Sequence, residues 1–123
     1  MLLKDFYKVN SLNATEGQKY VASITINKNH EVFKGHFPGN PVTPGVCMMQ
    51  IIKELTQQVA NTTLTMKSAS NIKFMALINP EINPDLKLEL EITQGDDDTI
   101  KVKNTTFFND TVALKLSCIY SKN

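Results

Sequence analysis

The residues best equipped for chemistry lie close together in the chain. His36 sits in Gly35-His36-Phe37-Pro38-Gly39, followed by Pro41-Val42-Thr43-Pro44-Gly45-Val46, and the apolar segment beyond carries Gln50 and Glu54. Unperturbed imidazole titrates near neutrality, so His36 suits the task of taking a proton alpha to an acyl carbonyl. As such a proton leaves, charge builds on the carbonyl oxygen, and the free amides of a helix start are preorganised to receive it. Gly45 and Val46 stand where that helix would begin, and Gly45 lets a substrate approach closely. An isolated histidine between glycine and phenylalanine would ordinarily do no more than hydrogen-bond a turn. The Phe-Pro-Gly and Pro-Gly-Val context argues for a base. His30 lacks that context and is expected at the surface, at the end of a strand.

These residues need elements to hold them. From Gly45 to Ala60, Val46, Cys47, Met48, Met49, Ile51, Ile52, Leu55 and Val59 form a segment apolar nearly all round at first and one-sided later, as expected of a helix whose start is buried. Thr43, Pro44 and Gly45 suit its N-cap and first two positions, with proline where its missing N–H costs nothing. Ahead of it, Tyr20, Ala22, Ile24 and Ile26 alternate with Val21, Ser23 and Thr25, a half-buried strand ending near Asn27-Lys28-Asn29. After a polar stretch, residues 70–74 suggest a strand interrupted by the loop 79–84. In the tail, Leu86, Leu88, Leu90 and Ile92 alternate with Lys87, Glu89, Glu91 and Thr93. Gly95-Asp96 turns the chain into Ile100, Val102, Asn104, Thr106 and Phe108, and Asn109-Asp110 into Val112, Leu114, Leu116, Cys118 and Tyr120. Three long antiparallel strands with one apolar face need a cover, and helix 45–60 is the apolar helix available.

Composition narrows the possibilities further. The 123 residues suffice for one domain, 1–123, with a sizeable core. Thirteen basic against twelve acidic side chains leave a net charge of +1, with no footprint for nucleic acid or an anionic membrane. Asp96-Asp97-Asp98 reads as a solvated turn, and no metal site or cofactor is expected. Cys47 and Cys118, at no metal-ligand spacing, suit small buried thiols in a reducing compartment. The N-terminus charges up before a signal-length apolar stretch forms, so a soluble, cytoplasmic protein is expected.

The run from Gly35 to Val46, followed by an apolar helix, resembles the 3-hydroxyacyl-acyl-carrier-protein dehydratases. The resemblance implies an α+β hotdog fold, an antiparallel sheet wrapped around one central helix of about 45–60, working as a dimer or higher homo-oligomer. In that family the histidine takes or shuttles the alpha proton, a carboxylate on the neighbouring subunit's helix handles the departing hydroxyl, and the helix start polarises the carbonyl. Carried over, these roles fall on His36, Gln50 and the amides of Gly45 and Val46, with Phe37 and Pro44 beside the acyl thioester. His36 of one chain is then expected to approach Gln50 of another.

This chain departs from the family pattern in its helix. The family order Glu-x-x-x-Gln appears here as Gln50-x-x-x-Glu54. An amide cannot give a proton to a hydroxyl, a contribution typically worth about 10²–10⁴ in rate. Glu54 is a possible relocated acid, but about 6 Å further along the axis it is expected to be an ordinary polar residue. Thr43 replaces a bulky apolar residue and, as N-cap, would occupy an amide at the helix start. The proline- and histidine-containing segment that such dehydratases carry near their start is missing too. Three functions follow: a dehydratase-like enzyme of fatty-acid or related acyl metabolism, weakened or altered, acting on acyl-carrier-protein or coenzyme A thioesters; a non-catalytic or half-site subunit of a mixed dimer with another hotdog protein; and an acyl thioesterase in which Gln50 orients water.

Overall fold

Alternation in the tail becomes three long strands. A computed structural model of the chain describes residues 5–33 and 42–123. Its strands are β1 (Tyr7–Ala14), β2 (Lys19–Ile26), β3 (Leu64–Phe74), β4 (Asp85–Gln94), β5 (Thr99–Phe108) and β6 (Thr111–Lys122), with one helix, α1 (Gly45–Ala60). They form a six-stranded sheet in the order β1-β2-β4-β5-β6-β3, and every pairing is antiparallel. Leu86, Leu88 and Leu90 are buried on β4, Ile100 and Val102 on β5, and Leu114, Leu116, Cys118 and Tyr120 on β6. Each set occupies every second position, so one face of the pleat turns inward. Asn104 and Thr106 join them, and the core accepts these polar groups because Thr106 donates to Asn104 across 2.9 Å and Asn104 to the Glu89 carbonyl across 3.2 Å. The acidic triplet is the exposed β4–β5 turn.

The helix covers that apolar face, as the hotdog resemblance implies. Its buried residues, Cys47, Met48, Ile51, Ile52, Leu55 and Thr56, recur at helical spacing, and all but Thr56 share one core cluster with the sheet. The helix stops at Asn61, whose φ of 55° and ψ of 41° place it in the left-handed region that asparagine tolerates at helix ends.

One strand left no sign in the sequence, and three expectations about strand extent and exposure needed correction. The strand β1 was not legible: its residues are mostly half-buried or exposed, Asn10, Ser11 and Asn13 disfavour strands, and the register shifts between Val9 and Ser11. Pairing with β2 supplies what its side chains do not. The polar stretch before residue 70 is the first half of β3, an edge strand mostly exposed and so without alternation. The helix start is only half covered, with Val46 66% exposed. His30 is half-buried rather than at the surface. Its ring meets Phe6 edge-on at 5.2 Å, and its Nδ1 accepts from the Val32 amide across 3.1 Å, at the start of the short 3-10 turn Glu31–Phe33.

Candidate functional site

Pro44, not Thr43, is the N-cap of α1. Its carbonyl accepts from the Cys47 and Met48 amides at 3.0 and 3.2 Å, and no side chain caps the helix. The Thr43 hydroxyl is buried and has no hydrogen-bond partner among the described residues. It is therefore not spent on the amide of Gly45 or Val46. The first amides of a helix have no partner within it, so this start is uncapped and able to meet an oxyanion.

These amides open onto an apolar groove of about 630 Å³. Pro44, Gly45 and Val46, three of the expected binding residues, line it with Thr43, Met48 and Ile78, and residues 74–77 form the facing wall. Thr43 is tied to that wall by its amide, which donates to the Ile78 carbonyl across 2.8 Å. The ring of Phe74 rests on Gly45, where a Cβ would come within 2.6 Å of Cζ. A smaller depression of about 350 Å³ on the sheet, lined by Lys19, Glu89, Glu91 and Lys103 among others, offers charges of both signs and suits an acyl chain poorly.

Gln50 and Glu54 continue the helical stripe begun by Val46, at successive four-residue steps. Both are half-buried. Gln50 Nε2 donates to Glu54 Oε2 across 3.0 Å, so the side chains span the displacement that separated the two positions along the axis. Glu54 is not an ordinary solvated residue. Its other oxygen, Oε1, accepts from the hydroxyl of Tyr7 on β1 across 2.7 Å. Burial, reinforced by the hydrogen bond and charge of Glu54, pushes the Tyr7 hydroxyl well above the ordinary tyrosine range, so Tyr7 serves as a hydrogen-bond donor and not as an acid. Tyr7 lies 47 residues before Glu54 in a strand with no sequence signature, and sequence reasoning missed it.

Cys47 and Cys118 are free and buried. Burial pushes both thiols up, which disfavours the thiolate a nucleophile would need. Among the described residues no group of histidine, cysteine or acidic side chains could hold a metal, and no helix is long and apolar enough to cross a membrane. His36 and Phe37 lie outside the described residues.

Comparison with known proteins bears on family and fold. A family model described as ApeI-like, the ApeI dehydratase, matches residues 12–115. The 3-hydroxyacyl-[acyl-carrier-protein] dehydratase FabZ of Lactobacillus helveticus is 32% identical over 113 residues, 86% of this chain and 74% of that protein. The protein of that name from Caulobacter sp. strain K31 is 29% identical over 105 residues, 78% of this chain and 63% of that one. Among solved structures, the dehydratase heterocomplex ApeI:P from Xenorhabdus doucetiae superposes with a TM-score of 0.69 at 16% identity, over 94% of this chain and 97% of that one. An uncharacterised Pyrococcus horikoshii protein gives 0.67 at 9% identity, over 94% and 83% of the two chains. The structures establish the hotdog fold, and the matched sequence establishes kinship. The chain belongs to the ApeI dehydratase-like family and is related to the FabZ dehydratases.

Proposed function

We propose that the protein dehydrates 3-hydroxyacyl thioesters carried on an acyl carrier protein, with His36 as its single proton-transfer group and Gln50 as holder of the hydroxyl. The observation that carries this reading is the uncapped helix start at Gly45 and Val46, opening onto an apolar groove; Gln50 is not part of the groove lining but stands one turn beyond Val46 on the helix. The acyl chain lies in the groove and its carbonyl oxygen accepts from the two amides. His36 removes the proton at C2, and the developing charge is received by those donors. The C3–O bond breaks as the hydroxyl takes the same proton back from the imidazolium. Water leaves and a 2-enoyl thioester remains. Glu54 stands aside from proton transfer, since both its oxygens already accept hydrogen bonds.

The site is completed by a second chain. Val46 is 66% exposed, Phe74 58%, Met75 57% and Leu77 71%, a cluster of apolar side chains around the groove and the end of edge strand β3. Covering it with another copy buries this surface, and the family resemblance implies that His36 of one protomer then works with Gln50 of its partner. The same surface favours a second reading, in which a sister hotdog chain occupies it and supplies the missing carboxylate. Coenzyme A in place of the carrier protein keeps the same chemistry. A thioesterase would need a carboxylate to activate water, and Glu54 is already engaged.

The test is hydration of 2-enoyl and dehydration of 3-hydroxyacyl pantetheine thioesters by the purified protein, with His36→Ala beside it. Turnover by the wild type that His36→Ala abolishes supports the enzyme. Turnover appearing only when a carboxylate-bearing hotdog chain is added supports the mixed dimer. Release of free thiol from either thioester in place of water exchange would overturn both.

A further inference from the structure

We propose that Tyr7 is a positioning residue of this site: through Glu54 it sets which way the Gln50 amide faces, and so how a substrate hydroxyl is recognised. The inference rests on the reading that Gln50 meets the hydroxyl of a 3-hydroxyacyl thioester. A glutamine amide presents a carbonyl on one side and an NH₂ on the other, and turning it over exchanges acceptor for donor. Opposite Glu54 Oε2 the choice is forced. The NH₂ faces the carboxylate across 3.0 Å, because the reverse orientation would set two acceptors against each other. Gln50 is left with its carbonyl oxygen and one N–H for a ligand.

Glu54 holds this orientation only while it is itself held. Its side chain has three rotatable bonds, and the second anchor is the Tyr7 hydroxyl at 2.7 Å from Oε1. Tyr7 stands opposite Ile26 in the β1–β2 pairing. The half-buried ring brings a donor that keeps its proton to the far side of the carboxylate. Orientation thus passes from the backbone of β1 to Tyr7, Glu54 and Gln50. Removing the Tyr7 hydroxyl frees one end of the carboxylate, which can then swing away from Gln50 and leave the amide free to turn over. A purely structural role for Tyr7 would instead lower stability and leave ligand discrimination untouched.

The experiment compares dissociation constants for a 3-hydroxyacyl pantetheine thioester and its 3-deoxy counterpart. It uses the full chain as wild type, as Tyr7→Phe, and as each of these with Gln50→Ala, and thermal melts confirm folding. The wild type is expected to prefer the hydroxy compound, and Tyr7→Phe to reduce that preference roughly three- to ten-fold, the range of one hydrogen bond, with the deoxy compound bound as before. In the Gln50→Ala background Tyr7→Phe is expected to change nothing further, because its effect travels through the amide. A wild type that binds the two compounds alike would overturn the reading of Gln50 and this inference with it. A wild type that discriminates while Tyr7→Phe keeps the whole preference would overturn the inference alone. So would a loss of preference that persists without Gln50.

Discussion

The amide of Gln50 and the carboxylate of Glu54 meet across 3.0 Å on one face of α1. The two residues therefore behave as a pair, and a change at either is felt by the other. Gln50→Glu alone would set two carboxylates side by side at i and i+4, where like charges oppose each other and the helix. The double exchange Gln50→Glu with Glu54→Gln keeps one carboxylate and one amide and restores the family's order. Steady-state hydration of a 2-enoyl thioester should rise in the double variant by up to about 10²–10⁴, the worth of a general acid, and by less in the single one. A double variant that folds, binds the thioester and gains nothing would show that the site has left dehydration behind.

Glu54→Gln tests the relocated acid separately. Because both Glu54 oxygens accept hydrogen bonds, the substitution should lower stability by about 0.5–2 kcal/mol, more than an exposed change would, as one charge-assisted bond becomes neutral and the new NH₂ faces a group that had been donating at a half-buried position. Turnover should fall only a few-fold, while His36→Ala costs roughly 10² or more. Equal losses from the two substitutions at unchanged stability would make Glu54 the acid.

Gly45→Ala should separate packing from binding. The added methyl would lie 2.6 Å from the tip of the Phe74 ring, which must move aside. That ring is 58% exposed and can yield, and alanine favours the helix by up to about 1 kcal/mol, so the melting temperature should change little. The groove narrows at the amides, and KM for acyl thioesters should rise several-fold. An unchanged KM would place the thioester elsewhere.

The apolar cluster predicts association. Leu77→Lys, at a side chain 71% exposed, should convert a dimer into monomers at micromolar concentration and abolish turnover, with the fold retained. Light scattering and circular dichroism on the wild type and variant check it. A wild type that is monomeric at that concentration would remove the shared site.

Alkaline pH should destabilise the fold. Burial raises the hydroxyls of Tyr7 and Tyr120 above 10.0 and the thiols of Cys47 and Cys118 above 9.0. Folded chains keep these protons at pH values where unfolded chains lose them, so the folded state binds more protons and stability falls as pH rises. The contribution is complete below about pH 9 and is lost above it, first through the thiols and then the tyrosines. Melting curves should be flat from neutrality to about pH 9 and fall beyond, less steeply above about pH 10 in Tyr7→Phe. A melting temperature that climbs through this range would contradict the assignment.

The sequence by itself determined the elements whose signal is carried by their own side chains. Leu86 to Leu90, Ile100 to Val102 and Leu114 to Tyr120 alternate because one face of each strand is buried, and Cys47 to Thr56 recurs at helical spacing because one stripe is. Pro44-Gly45-Val46 marked the helix start for an equally local reason. Tertiary structure alone decided what depended on residues distant in the chain. The edge strands β1 and β3 are held by backbone pairing to a neighbour, which leaves little trace in side-chain pattern. The Phe74 ring on Gly45 and the Tyr7 hydroxyl on Glu54 arise where the sheet folds around the helix. Glu54 looked too far along the axis to matter because spacing measures the backbone, whereas hydrogen bonds form between the ends of flexible side chains, and those ends met.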